Sequence, residues 1–140
     1  MVKLKKLIIA CDGESASGKS TAAKLVSKKY KLLLINSGLI YRYCSKIIIK
    51  HKPKKITSFL KNKLKKVSYK LIAKQKLHSE EISDHVAIIA KNKKVREIVN
   101  QLQMKIIRTN SRICVEGRDI ASKILAKNPK YDVAFYFKCN

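Results

Sequence analysis

The feature that most constrains this chain is an octapeptide, GESASGKS, that runs from Gly13 to Ser20. It matches the pattern GxxxxGK[ST], whose glycines let successive backbone N–H groups turn inward around phosphate oxygens. The apolar run Leu4–Cys11 precedes it, and residues 19–29 follow it with the spacing of an amphipathic helix. A strand, a glycine loop and a helix in this order predict a P-loop, in which the positive end of the helix faces the bound anion.

The polar side chains of the loop have specific chemical roles in such a site. Lys19 is expected to reach the β- and γ-phosphates of ATP, and the Ser20 hydroxyl is expected to be a ligand of Mg²⁺. Asp12, at the end of the preceding strand, is either a candidate for the outer shell of the metal or a turn-forming residue. The residues expected to contact ATP are Gly13, Glu14, Ser15, Ala16, Ser17, Gly18, Lys19, Ser20 and Thr21.

Short apolar runs alternate with longer helical segments along the rest of the chain. A short apolar run is typical of a strand in a parallel sheet that is covered on both faces. Strands are predicted at 4–11, 32–35, 113–115 and 133–137, and helices at 19–29, 37–50, 80–91 and 93–107. The predicted buried faces are Ala22, Leu25 and Val26 in the first helix and Val95, Ile98, Val99, Leu102 and Ile106 in the last. The alternation predicts an α/β fold with a parallel sheet.

The chain is strongly basic, with 33 lysines and arginines against 9 acidic residues and a formal charge of +24. Twelve lysines and no acid lie between residues 45 and 76, which we interpret as solvated short elements around Phe59, Leu64 and Tyr69. This balance indicates either attraction to a polyanion or the compositional drift of an AT-rich coding sequence. Nucleic-acid-binding segments interleave aromatic with basic side chains. The segment has few aromatics, so any nucleic-acid binding is expected to be non-specific.

The cysteines and the hydropathy pattern predict a cytoplasmic protein. The cysteines form no CxxC pair and are expected to be reduced, mostly buried thiols, as in a reducing compartment. No segment approaches the roughly 20 apolar residues that a membrane-spanning helix needs, so no membrane partner is expected. The four cysteines are Cys11, Cys44, Cys114 and Cys139.

Four segments, in order and in register, resemble the bacterial cytidylate kinase family. They are residues 12–21, 36–42, 95–97 and 116–120, which read DGESASGKST, NSGLIYR, VRE and EGRDI. The resemblance implies the three-layer αβα fold of P-loop nucleoside monophosphate kinases. It also implies transfer of the γ-phosphoryl group of ATP, with Mg²⁺, to CMP or dCMP in pyrimidine nucleotide metabolism. We expect a monomer.

The resemblance also implies roles for individual residues. Arg118 and Asp119 would hold the cytosine edge, with Asp119 accepting a hydrogen bond from the exocyclic amine, and both would act with Lys19 in catalysis. Glu116 would lie with Ser20 near the metal. The residues implied in CMP binding are Ser37, Tyr41, Arg42, Arg96, Arg118 and Asp119. Three of only five arginines lie here, and a planar guanidinium recognises phosphate and base as lysine cannot. Two other arginines, Arg108 and Arg112, are expected to be solvated charges, and His51 and His85 are expected to have surface or packing roles.

Two of the chain's departures from the family's pattern bear directly on its function. Ala87 stands where the family usually has a serine that contacts the base, and its loss is expected to reduce the preference for cytosine over uracil. Ser83, one turn earlier, is an alternative contact to the base. In the family, a helix and an arginine-bearing lid follow the strand that matches residues 132–137. We therefore expect one kinase domain over residues 1–140, incomplete at its C-terminus, with a lysine-rich acceptor-binding segment at about 45–92. The alternatives are an inactive or fragmentary kinase, or a basic nucleic-acid-binding protein.

Overall fold

The computed structural model describes residues 3–14 and 16–139 as alternating strands and helices. In chain order the elements are β1 (Leu7–Gly13), α1 (Lys19–Tyr30), β2 (Leu33–Asn36), α2 (Ser37–His51), α3 (Ile56–Lys65), α4 (Tyr69–Ala73), α5 (Glu80–Ile89), α6 (Lys93–Arg108), β3 (Arg112–Gly117), a π-helical turn (Ile120–Ile124) and β4 (Val133–Phe137). None of the helices in these ranges is long and apolar enough to cross a membrane.

Strands β1 and β3 form the centre of a four-stranded parallel sheet whose order is β2-β3-β1-β4. The pairing of β1 with β3 ends at Asp12 opposite Gly117. On its other side β1 pairs with β4, and that pairing ends at Gly13 opposite Phe137. Because all four strands run the same way, their carboxyl ends meet at one edge of the sheet. The predicted α/β fold with a parallel sheet is confirmed.

The chain divides into two compact units. The first, Met1–Ser37 with Met104–Asn140, holds the sheet, α1 and the π-helical turn. The second, Gly38–Gln103, is helical and holds α3, α4 and α5 together with most of α2 and α6. The assignment of all 140 residues to one kinase domain, with an acceptor-binding segment at about 45–92, stays a prediction.

The core of the first unit lies on both faces of β1 and β3. Both strands are apolar at successive positions, as expected for strands that are covered on each side. One cluster packs α1 against the sheet and contains Ile9, Cys11, Ala23, Leu32 and Cys114. The side chains that alternate with these along the strands are also buried, and they are Ile8, Ala10, Ile113 and Val115.

Helix α1 packs on the sheet through small side chains and not through the predicted face. Ala23 and Ser27 are buried, whereas Leu25 is 65% exposed. The predicted face of Ala22, Leu25 and Val26 is therefore wrong for Leu25, and Val26 is only partly buried. The helix begins directly after the glycine loop, so the loop sets its rotation, and residues four positions apart share the face that meets the sheet.

Strand β2 is an edge strand of this sheet and is not covered on both faces as predicted. Ile35 is fully buried, but Leu33 is 40% exposed. β4 lies at the other edge and exposes 40% of Val133 and 42% of Phe135. Edge and central strands share an apolar composition here, so composition alone did not distinguish them.

The helices of the second unit bury one apolar face each. α3 and α4 are the short elements predicted around Phe59, Leu64 and Tyr69. Ser68 and Ser79 cap α4 and α5, because each hydroxyl accepts a hydrogen bond from the backbone N–H three residues later. The buried apolar side chains of the unit include Ile40, Tyr43, Cys44, Ile47, Ile48, Leu60, Leu64, Ile72, Leu77, Ile82 and Ile89.

Helix α6 confirms four of the five residues of its predicted face. Ile106, the fifth, is half-buried, whereas Gln103 and Ile107 are each 1% exposed. The helix passes from the second unit into the first at Met104, so its last turn packs in a different environment from the rest. The four confirmed residues are Val95, Ile98, Val99 and Leu102.

Enlarging Ala23 should destabilise the fold, whereas truncating Leu25 should not. The Ala23→Leu side chain has no space between α1 and the sheet, and overpacking of this kind costs about 1–3 kcal/mol. Leu25→Ala changes an exposed side chain, so we expect the free energy of unfolding to change by less than about 0.5 kcal/mol. Urea unfolding followed by circular dichroism measures both. A larger loss of unfolding free energy for Leu25→Ala than for Ala23→Leu would show that the predicted face of α1 is the buried one.

Candidate active site

The loop between β1 and α1 has the backbone conformation of an anion-binding turn. Gly13 has a φ of +152°, Ala16 of +57° and Gly18 of +84°. Backbone of this kind turns successive N–H groups toward a common centre, and a helix that follows adds the positive end of its dipole. Ser17 Oγ donates a hydrogen bond to the Glu14 carbonyl oxygen at 2.7 Å, which closes the loop. Ser15, also predicted to contact ATP, lies outside the described residues.

The end of β4 holds the start of this loop. A Cβ at Gly13 would clash with the carbonyl oxygen of Phe137 and lie 2.9 Å from the Phe137 Cβ. The Glu14 N–H donates to that same carbonyl oxygen at 3.1 Å, and the Glu14 carboxylate accepts the N–H of Cys139 at 3.1 Å. Glycine is therefore required at position 13 by close approach of a neighbouring strand as well as by its φ.

Lys19, in the first turn of α1, bridges the ends of the two central strands. Its Nζ donates to the carbonyl oxygen of Gly13 at 3.0 Å and to that of Gly117 at 3.3 Å. The ammonium group therefore lies where β1 and β3 end, beside the opening of the loop. Thr21, the last residue of the predicted ATP-binding set, is exposed on α1.

Ser20 and Glu116 form the candidate cation site. Ser20 Oγ donates to Glu116 Oε1 at 2.8 Å. Glu116 is 2% exposed, and among the residues that the structure describes its Oε2 has no hydrogen-bond partner. A buried carboxylate oxygen without a donor is costly, and a cation beside it would offset that cost.

The ligand chemistry of this pair fits Mg²⁺. Within residues 3–14 and 16–139, no group of three or more His, Cys, Asp or Glu side chains could hold a metal ion. Mg²⁺ in kinase sites needs no such cage, because it is held by one or two protein oxygens together with water and substrate phosphates. A serine hydroxyl beside an unpaired carboxylate oxygen is a donor set of this kind.

The segment after β3 carries Arg118 and Asp119 at the same edge of the sheet. Both side chains are exposed, and Asp119 has a left-handed φ of +56°. Ser37 lies beside this segment, since a Cβ at Gly117 would be 2.9 Å from the Ser37 Cβ. Asp119 also forms a solvent-exposed ion pair with Lys123 at 3.6 Å, which contributes little stability. Three of the predicted CMP-binding residues therefore lie together in the first unit.

Asp12, a candidate for the outer shell of the metal, is engaged with backbone instead. Its Oδ1 accepts the N–H of Ile120 at 2.5 Å, and its Oδ2 accepts the N–H of Ala121 at 2.9 Å. Both oxygens are therefore occupied at the start of the π-helical turn. The alternative interpretation, that Asp12 stabilises a turn, is the one that agrees with these contacts.

Arg42 lies in the second unit and is held by the end of the segment before α5 and by α5 itself. Its Nη1 donates to the Leu77 carbonyl oxygen at 3.1 Å and to Ser83 Oγ at 3.0 Å. Ser83 is thus a partner of Arg42, a contact between residues 41 positions apart that local sequence patterns do not predict. Its predicted contact with the base, in place of the serine missing at Ala87, stays a prediction.

Arg96 and Tyr41 are neighbours in the second unit. Arg96 Nη1 donates to the carbonyl oxygens of Ala90 at 3.0 Å and Lys91 at 2.8 Å, and so caps the end of α5. Burial raises the pKa of Tyr41 above its ordinary value, and the positive charge of Arg96 partly offsets this rise. Tyr41 therefore remains a neutral phenol at physiological pH.

Two residues without a predicted role have specific partners. Arg112 donates to the carbonyl oxygens of Lys5 and Tyr30, so its interpretation as a solvated charge is wrong. His85 Nδ1 lies 3.0 Å from the buried Ser45 Oγ. These contacts join residues that are at least 40 positions apart, and local sequence patterns carry no signal for them.

The cysteines are free thiols, and three of them are buried as predicted. Cys11 Sγ and Cys114 Sγ lie 3.7 Å apart on the two central strands. The hydrogen bond to Cys114 and burial raise the pKa of Cys11, and burial raises the pKa of Cys44 to about 12. Thiols that stay protonated are poor nucleophiles and metal ligands, so Cys11 and Cys44 are structural residues. Cys139 is exposed.

The chain is similar to cytidylate kinases over most of its length. Residues 9–136 match the family model described as cytidylate kinase. The cytidylate kinase of Listeria monocytogenes serotype 4b (strain CLIP80459) is 31% identical over 135 residues, and that of Aquifex aeolicus (strain VF5) is 32% identical over 133. Each match covers 86% of this chain and 60% of the relative. A bifunctional pantoate ligase/cytidylate kinase from Prochlorococcus marinus (strain AS9601) is 35% identical over 133 residues, which cover 84% of this chain and 26% of that protein.

These matches bear on the alternatives left by the sequence. The chain spans about 60% of the length of the Listeria and Aquifex proteins. The matches favour a kinase over a basic nucleic-acid-binding protein, because the matched region includes both the P-loop and the segment after β3.

Replacing Gly13 should cost far more stability than replacing Gly18. Gly13→Ala combines a positive φ with a clash against β4 backbone, for an expected loss of about 2–6 kcal/mol. Gly18→Ala shares the left-handed backbone but meets no atom within 4 Å, so the expected loss is about 1–2 kcal/mol. Urea unfolding of the two variants measures the difference. Equal losses would show that β4 does not hold the loop at Gly13.

Proposed function

The chain belongs to the cytidylate kinase family, and on that premise we propose that it transfers the γ-phosphoryl group of ATP to CMP or dCMP. An oxygen of the acceptor phosphate attacks the γ-phosphorus, the bond from that phosphorus to the β,γ-bridging oxygen breaks, and ADP leaves as CDP or dCDP forms. No covalent enzyme intermediate is involved. The protein's contribution is to hold both nucleotides and to stabilise charge on the transferred group.

The observation that carries this proposal is the meeting of Lys19, Ser20 and Glu116 where β1 and β3 end. The Lys19 ammonium contacts two neutral carbonyl oxygens there. Hydrogen bonds from an ammonium to charged phosphate oxygens are stronger than those to neutral carbonyls. A triphosphate in the loop would therefore compete well for Lys19, and the positive end of α1 would add to the attraction.

We propose that Ser20 and Glu116 hold the Mg²⁺ that accompanies ATP. When bound, Mg²⁺ neutralises charge on the phosphate oxygens and orients them. The Ser20 hydroxyl supplies an oxygen ligand, and Glu116 Oε2 supplies a buried negative charge that has no other partner in the described residues. Both properties support a hard divalent cation over a softer metal.

For the acceptor we propose the residues that the family resemblance implies. Asp119 would accept a hydrogen bond from the cytosine N4 amine, and Arg118 would donate to the same base. Arg42 and Arg96 would donate to the acceptor phosphate, and each guanidinium has five N–H donors, of which the described bonds use those on Nη1. Ser37 and Tyr41 complete the proposed set.

We also propose a cytoplasmic location. The buried free thiols Cys11, Cys44 and Cys114 are typical of a reducing compartment. The monomeric state stays a prediction.

Removing the Lys19 ammonium should weaken ATP binding. Lys19→Ala loses a charge-assisted hydrogen bond to phosphate, which is worth about 1.5–3 kcal/mol, or about 10- to 150-fold in affinity. Lys24→Ala is the matched control, because Lys24 is an exposed lysine on the same helix. Isothermal titration calorimetry with Mg²⁺–ATP compares both variants with the wild type. The same ATP affinity in Lys19→Ala and Lys24→Ala would contradict the phosphate assignment.

The chain should phosphorylate CMP in preference to UMP. Uracil offers Asp119 a carbonyl oxygen in place of an amine, and a carboxylate that the bound base shields from water and leaves without a donor costs about 1–3 kcal/mol, or about 5- to 150-fold. The measurement is a mixture of Mg²⁺–ATP with equal CMP and UMP, with CDP and UDP separated by anion-exchange chromatography. Asp119→Ala should bring the two products closer to equal amounts.

Two outcomes of this assay would contradict the proposal. If no CDP forms beyond the amount in a sample without protein, this chain does not transfer the phosphoryl group. Equal CDP and UDP from the wild type would leave the transfer intact and refute the role of Asp119 in choosing the base.

A further inference from the structure

Asp12 is a buried carboxylate whose place beside the P-loop is not explained by phosphate binding. It lies in β1 directly before Gly13 and is 7% exposed. Its oxygens accept the backbone N–H groups of Ile120 and Ala121 at 2.5 and 2.9 Å. A buried negative charge is costly unless donors compensate it. In this case the donors belong to the segment that follows Arg118 and Asp119.

These two hydrogen bonds hold the backbone immediately after Asp119. The φ of Asp119 is +56°, a left-handed conformation that few non-glycine residues adopt and that aspartate tolerates better than most. The next residue, Ile120, is anchored twice, because its N–H bonds to Asp12 and its side chain is 1% exposed. The π-helical turn continues from there, since the Lys123 N–H donates to the Asp119 carbonyl oxygen at 3.0 Å. The bonds to Asp12 therefore restrain the backbone directly after Arg118 and Asp119.

We propose that Asp12 is a positioning residue for base recognition: its carboxylate holds the backbone that presents Arg118 and Asp119 to the acceptor. The residue also adjoins Gly13, so one side chain joins the start of the ATP loop to the segment that reads the base. This inference rests on the proposed function, because it takes Arg118 and Asp119 to contact the base.

The role requires a carboxylate and not merely a polar side chain of the same shape. An ionised carboxylate only accepts hydrogen bonds, and each of its oxygens can take one N–H. In Asp12→Asn, one oxygen becomes an NH2 group, which faces a backbone donor instead of accepting from it. The substitution keeps the size of the side chain and disrupts one of the two bonds.

The experiment compares the wild type with Asp12→Asn by two readouts. Amide hydrogen exchange, measured by NMR, reports on the N–H groups of Ile120 and Ala121. Calorimetry gives the affinities for ATP, CMP and UMP. In Asp12→Asn we expect exchange at one or both amides to accelerate by about tenfold or more, and the ratio of CMP to UMP affinity to fall by about threefold or more, while ATP affinity changes less than about twofold.

Asp132→Asn is the matched control. The Asp132 carboxylate also accepts a backbone N–H of β1, from Ile8 at 2.8 Å, but it belongs to neither the P-loop nor the Arg118–Asp119 segment. We expect it to leave exchange at Ile120 and Ala121 and the base preference unchanged. If Asp12→Asn fails to fold, Asp12→Ser, which keeps one acceptor oxygen, replaces it.

The outcomes separate this inference from the proposed function. An unchanged base preference in Asp12→Asn would overturn the positioning role. Equal losses of ATP, CMP and UMP affinity would overturn it as well, because a purely structural residue would produce such losses. Rapid exchange of both amides in the wild type would overturn it too. If the wild type binds CMP and UMP equally, the proposed base recognition fails; accelerated exchange confined to Ile120 and Ala121 would then show that Asp12 still holds this backbone.

Discussion

The parallel pairing of β1 with β3 determines where each group of the phosphate-binding site lies. The register sets Asp12 opposite Gly117, so the P-loop and the Arg118–Asp119 segment leave the sheet side by side. Lys19 can then reach carbonyl oxygens at both strand ends, and Ser20 can reach Glu116. Parallel strands need a crossover between them, and this one brings residues about 100 positions apart into hydrogen-bond contact.

The specific electrostatics of the first unit come from a few carboxylates and not from the lysine excess. Of the 9 acidic residues, Asp12 accepts the backbone N–H groups of Ile120 and Ala121, Asp132 accepts that of Ile8 in β1, and Glu116 accepts from Ser20. Most lysines between residues 45 and 76 are exposed. Exposed charges contribute little to stability, whereas a buried carboxylate requires defined donors. The few acidic residues therefore determine more of the local structure than the many lysines do.

Arginines are used in a similarly specific way. Arg42, Arg96 and Arg112 all donate to backbone carbonyl oxygens outside the regular strands, most of them at or near helix ends. A guanidinium can satisfy such carbonyls and keep other donors for an anion, which an ammonium does less well. The interpretation of Arg112 as a solvated charge failed because its partners, Lys5 and Tyr30, lie 107 and 82 positions away.

The sequence by itself determined the P-loop, the α/β class, the parallel sheet and most helices, because these depend on local patterns of glycine and apolar residues. The tertiary structure alone decided which face of α1 is buried, since the loop sets the rotation of the helix. Ala23 lies on that face, and Leu25 does not. The tertiary structure also decided the partners of Asp12 and Arg42, because hydrogen bonds between distant segments depend on strand register and helix packing. Residue spacing along the chain carries no information on either.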